Sequence, residues 1–89
     1  MPRVNFTPNL QRHVRCEPRT VEATCVRDAV LAALEGNPRA VGYILHDQGE
    51  LRQHMVIFIN GEQVMDRKGL TDPLPADAEI YVMQALSGG

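Results

Sequence analysis

Apolar and polar residues alternate through Arg3-Val4-Asn5-Phe6-Thr7, the period of two that predicts a half-buried strand with Val4 and Phe6 inward. Pro8-Asn9 stops it. Residues 8–18, with Pro8, Pro18 and several charges, predict a long solvated loop. Thr20-Val21-Glu22-Ala23 predicts a second short strand, antiparallel to the first. The period then changes. Val26, Ala29, Val30, Ala33 and Leu34 recur at i, i+3, i+4, i+7 and i+8, one apolar helical stripe, with Arg27, Asp28 and Glu35 off it. Thr24 is placed to cap that helix, its hydroxyl accepting an orphan amide hydrogen bond from the first turn. Gly36 supplies a left-handed residue at its end, and Pro38 prevents continuation.

Val41-Gly42-Tyr43-Ile44-Leu45-His46 predicts a third strand, ended by the turn Asp47-Gln48-Gly49-Glu50. Met55-Val56-Ile57-Phe58-Ile59 is the fourth and most apolar. Asn60-Gly61 is a strong hairpin signal, followed by the short return Gln63-Val64. Asp66 to Leu70 reads as a single helical turn, Pro73, Pro75 and Asp77 as a loop, and Glu79 to Gln84 as the last strand. The order ββαβββ predicts an α+β fold, a mixed sheet of four to five strands with one main helix on one face. That is the β-grasp layout of ubiquitin-like proteins; an α+β sandwich of another topology is the alternative. Residues 1–85 form the expected domain and 86–89 a flexible C-terminal tail, with no repeat, linker or second domain.

Composition narrows the class. Hydrophobic residues at 44% and charged residues at 22% describe an ordinary globule rather than a disordered chain. The net charge of −2 argues against a nucleic-acid binder, and no apolar run approaches the ~18 residues that span a bilayer. Two cysteines, Cys16 and Cys25, make no disulfide framework. A cytoplasmic protein, monomeric when free, with both thiols reduced, is expected. The charge is uneven: residues 1–20 carry Arg3, Arg12, Arg15 and Arg19 against Glu17, and the acidic excess lies in the remainder. The acidic part reads as a docking face and the basic start as solvated loop.

The chemistry gathers at the end, Ala85-Leu86-Ser87-Gly88-Gly89. At average usage a terminal glycine pair arises in roughly 0.5% of chains. Lacking Cβ atoms, Gly88 and Gly89 suit a channel too narrow for side chains, and their carbonyls are open to a nucleophile. The α-carboxylate, with a pKa of roughly 3.5, is a poor electrophile at neutral pH, so it needs activation from outside. A frayed terminus or an expression scar is the bland alternative.

Asp47-Gln48-Gly49-Glu50-Leu51-Arg52, Val56-Ile57-Phe58-Ile59-Asn60-Gly61-Glu62, Ala78-Glu79-Ile80-Tyr81-Val82 and Ser87-Gly88-Gly89, in that order and spacing, resemble the ThiS/MoaD family of ubiquitin-like sulfur carriers. The long first loop, Gly49-Glu50-Leu51 and the apolar strand leading to Asn60 are most similar to its cysteine-biosynthesis branch. The resemblance covers nearly the whole chain and implies that Gly89 is adenylated by a ubiquitin-activating-type enzyme and becomes a thiocarboxylate. A sulfur donor protein would supply the sulfur, and a sulfur-accepting biosynthetic enzyme would hold Leu86 and Ser87 in its active site. The tail lacks a stiffening proline, which leaves the partner enzyme open. The pathway, whether cysteine, molybdopterin, thiazole or another sulfur-containing product, is open as well. The chain would then be no enzyme and bind no cofactor, ATP being used by the activating partner. Extended, residues 86–89 reach about 13–14 Å.

If Ile57 and Ile59 point inward with Ile80 and Val82, alternation turns Val56, Phe58, Tyr81 and Met83 outward as a partner-binding patch. A loop covering them or a register shifted by one would undo this. His13, His46, His54, Cys16 and Cys25 match no paired zinc spacing, so no metal is expected. Cys25, in the first turn of the helix, is a small semi-buried side chain rather than a reactive thiol. The competing functions are a covalent modifier joined through Gly89 and a non-covalent interaction module. Lys68, the only lysine, leaves polymeric side-chain linkage a single site and favours the carrier.

Overall fold

The computed structural model describes residues 1–85. Five strands form one mixed sheet: β1 (Arg3–Phe6), β2 (Arg19–Thr20), β3 (Met55–Ile59), β4 (Glu62–Gln63) and β5 (Glu79–Gln84), in the order β2-β1-β5-β3-β4. β5 is central. It runs parallel to β1, with Val4 beside Ile80 and Phe6 beside Val82, and antiparallel to β3, with Ile57 beside Val82 and Phe58 beside Tyr81. The hairpin at Asn60-Gly61 forms as its sequence signals: both residues have positive φ, 49° and 88°, the pairing that matches strand twist in a two-residue turn. The return strand is one residue earlier than expected, at Glu62–Gln63.

Helix α2 (Val26–Ala33) buries Val26, Ala29, Val30 and Ala33, its anticipated stripe, and Gly36 is left-handed. Its N-cap is Cys25 rather than Thr24, with no side-chain cap bond. The carbonyls of Asp72 and Leu70 instead take the amides of Val26 and Arg27, so a distant loop does the capping. The β2 ladder also ends sooner than expected, covering Arg19–Thr20.

Two sequence expectations are overturned. Residues 38–44 are helix α3 (Pro38–Ile44), not part of a strand over 41–46. Pro38 ends nothing; it occupies the first turn of a new helix, where its missing N–H costs no bond. The Asn37 side chain accepts from the Ala40 amide at 3.3 Å and donates to the Arg15 carbonyl at 2.6 Å. Ala40 and Ile44, one turn apart, are buried. Residues 8–18 are likewise no solvated loop. They hold helix α1 (Pro8–Gln11), and Leu10, Val14 and Cys16 join the core.

All three helices feed the core on one face of the sheet, where Val4, Met55, Ile57, Ile80 and Val82 are fully buried. No helix among the described residues is long and apolar enough to cross a membrane.

Candidate functional site

Alternation along β3 and β5 divides their side chains between two environments. Ile57, Ile80 and Val82 face the helices, Ile59 packs half-buried on the same core, and Val56, Phe58, Tyr81 and Met83 turn away. The ladder pairs Val56 with Met83 and Phe58 with Tyr81 directly across strands, so the four form a two-by-two block. Tyr81 is 43% exposed and the others are half-buried. Beside the block the face turns polar. Asn5, paired with Tyr81, donates to the Ile80 carbonyl at 3.1 Å and to the Glu79 carboxylate at 3.3 Å, and receives Arg3 Nε at 3.1 Å.

The end of β5 is held from three sides. The Ala85 amide donates to the His54 carbonyl at 2.8 Å. Gln84 Nε2 donates to the Tyr43 hydroxyl at 2.6 Å, while its Oε1 accepts from Asn9. Tyr43 lies between two imidazoles, stacked on His13 at 5.8 Å and edge-on to His54 at 5.2 Å. Residues of α1, the segment after it, α3 and the turn before β3 thus converge on the last two described positions. Sequence reasoning missed this cluster, and no local signal could have found it: its members stand at positions 9, 13, 43, 54 and 84, and Tyr43 was assigned to a strand. Leu86, Ser87, Gly88 and Gly89, the expected activation and insertion residues, lie outside the described residues.

The remaining candidates stand apart. Cys16 is buried, and burial pushes its thiol pKa up, away from the reactive thiolate. Cys25 is half-buried at the start of α2, its backbone bridged to Pro73. Among the described residues, no three of His, Cys, Asp and Glu are grouped to hold a metal. After β4, Asp66 organises a tight turn. Its carboxylate accepts from the Thr71 hydroxyl at 2.6 Å and from the amides of Gly69, Lys68 and Thr71, and these bonds hold its pKa at about 2.

No family model matches the chain, and no curated protein matches it in sequence. Solved structures do match in shape. SAMP1 of Haloferax volcanii superposes with a TM-score of 0.66 at 24% identity, over 99% of this chain and 98% of that one. Small archaeal modifier protein 1 of Methanosarcina acetivorans gives 0.77 at 23% identity, over 99% and 95%. A chain of the Amycolatopsis orientalis BexX/CysO complex gives 0.69 at 18% identity, over the whole of both chains. These likenesses establish the ubiquitin-like β-grasp fold expected from the order of elements.

Proposed function

We propose that this chain is a sulfur carrier with no catalytic residues of its own. In this reading residues 1–85 are the docking globule and Leu86-Ser87-Gly88-Gly89 the working tail. A ubiquitin-activating-type enzyme uses ATP to convert the Gly89 carboxylate into an acyl-adenylate, which removes the charge and supplies a leaving group. A persulfide on a sulfur donor protein then attacks, expelling AMP and forming an acyl disulfide; a second thiol of the donor cleaves its S–S bond, becoming a disulfide with the first, and leaves a thiocarboxylate that a biosynthetic enzyme consumes. The single observation that carries the reading is the central strand β5. With β3 it presents an apolar block on its free face, and it is tied at its last described residues, three positions before the first of two terminal glycines. Val56, Phe58, Tyr81 and Met83 would seat on the partner while the tail enters its cleft.

The test is intact mass. With ATP, an adenylating partner and a sulfur donor, the chain gains about 16 Da as sulfur replaces oxygen. Deleting Gly89 abolishes the gain and spares the fold; an unchanged gain in the deletion variant overturns the reading.

One observation favours a second reading. Two of the fold neighbours are small archaeal modifier proteins, and a modifier would end in an isopeptide bond through Gly89. A carrier recovered from its native cells runs chiefly as one 9.9 kDa species. A ladder of adducts resistant to reductant and hydroxylamine, lost with Gly89, identifies the modifier instead.

A further inference from the structure

Along β5 the alternation that turns Ile80 and Val82 toward the helices turns Gln84 the same way. Ile80 and Val82 are fully buried apolar side chains, yet the third position of that row carries a half-buried primary amide. A leucine or methionine there would extend the core. The amide makes directed bonds instead: its Nε2 donates to the Tyr43 hydroxyl at 2.6 Å, and its Oε1 accepts from the Asn9 side chain.

The groups that hold it are themselves anchored. Asn9 precedes Leu10, Tyr43 precedes Ile44 and His54 precedes Met55, and those three neighbours are fully buried. The imidazoles of His13 and His54 restrain the Tyr43 ring from two sides, which limits where its hydroxyl points. The His54 carbonyl also takes the Ala85 amide at 2.8 Å. Helix α1, helix α3 and the turn before β3 thus meet on two consecutive residues. The last rung of a strand ordinarily opens at little cost, because no pair follows it. Each side-chain bond shifts such an opening by roughly threefold to tenfold, so the two on Gln84 decide whether that rung is mostly closed or mostly open.

We propose that Gln84 is a positioning residue, and that Asn9, Tyr43 and His54 form a clamp that fixes where the chain leaves the globule. The proposal rests on the tail-insertion reading and adds the device that sets the working length of the tail. With the clamp closed, a partner seated on the apolar block receives residues 86–89 from a fixed root. Its reaction centre must then lie within the ~13–14 Å that four residues span. With the clamp open, the free length rises from four residues to six, 84–89. The end is then diluted roughly twofold at the reaction centre, by the −3/2 power of linker length, and its direction of approach is lost.

Exchange of the Ala85 amide with water, followed by NMR in the full labelled chain, tests the clamp without any sulfur chemistry. Gln84→Met keeps the side-chain length and loses both bonds; it should quicken Ala85 exchange about tenfold or more while Ile80 and Val82 stay protected. Tyr43→Phe, which removes only the hydroxyl, should quicken it roughly threefold to tenfold. Gln84→Glu should stay within about twofold of the parent at neutral pH, since a carboxylate accepts both from Asn9 and from the Tyr43 hydroxyl acting as donor. With the adenylating partner proposed above, Gln84→Met should lower the maximal rate of the mass gain about twofold at an unchanged KM for the chain. Three results overturn the proposal. Protection that survives in Gln84→Met would mean that packing holds the strand end. Protection lost as fully in Gln84→Glu as in Gln84→Met would mean that bonds from Asn9 and Tyr43 do not set it. A KM that rises while Ala85 exchange is unchanged would make Tyr43 and Gln84 a contact surface for the partner. Exchange that responds as stated in a chain that never gains sulfur would retain the clamp and overturn the carrier.

Discussion

Strands β3 and β5 carry apolar residues on both faces, and the two faces have different fates. Inward, Ile57, Ile80 and Val82 are fully buried under the helices. Outward, Phe58 and Tyr81, one residue away along the same strands, pair with each other and remain partly in water. The residue types barely differ. Position along a period of two decides which side chains hold the fold and which are left for a partner. A small domain covers one face of its sheet with the few helices it has. The apolar groups on the other face are a standing cost to solubility unless something uses them.

The sharpest way to break this comparison is to truncate on the inner face. Ile57→Ala should destabilise by about 2–5 kcal/mol, through lost burial and the cavity left behind, read as a lower midpoint in urea. Phe58→Ala on the outer face should leave that midpoint within about 1 kcal/mol and weaken binding to the adenylating partner proposed above by about 1–3 kcal/mol, measured by calorimetry. Reversed outcomes would mean that the faces are exchanged. A double-mutant cycle on Phe58 and Tyr81 should give a coupling of only about 0.2–1 kcal/mol in stability, since these groups meet across the ladder at the surface. The smallest effect lies on neither face. The Asp66 pKa is depressed from 3.8 to about 2, so its turn is favoured above pH ~4 and loses that support as pH falls toward ~2. Hydrogen exchange at Lys68, Gly69 and Thr71 should quicken over that interval while Ile57 and Val82 stay protected; loss of both together would tie the turn to the core.

The legible parts of the fold are those with a strong local period. β1, α2, β3, the Asn60-Gly61 hairpin and β5 follow from side-chain pattern and turn chemistry, and the outward block follows from their register. α3 was not legible because its signals conflict. Val41, Tyr43, Ile44 and Leu45 have the composition of a strand, whereas Asn37-Pro38 is a helix start that also reads as the end of α2. Tertiary contact decides, through the Asn37 cap, its reach to Arg15 and the burial of Ala40 and Ile44. Helix α1 was hidden for a related reason. Leu10, Val14 and Cys16 are spaced among charges too sparsely to show a stripe, and only the folded sheet reveals the surface they cover. The cluster around Gln84 joins four stretches far apart in the chain, around 9–13, 43, 54 and 84, so no window of the sequence contains it.

The central placement of β5 has a mechanical consequence. A pull on the tail does not peel an edge strand one bond at a time. It loads β5 along its axis between β1 and β3, against two ladders that span Glu79 to Val82 on one side and Ile80 to Gln84 on the other. The two sets of hydrogen bonds then bear the force together in shear, and the Ala85 amide bond to His54 meets it first, followed by the side-chain bonds of Gln84. The same geometry makes the tail a poor starting point for machines that unfold proteins by threading from a terminus.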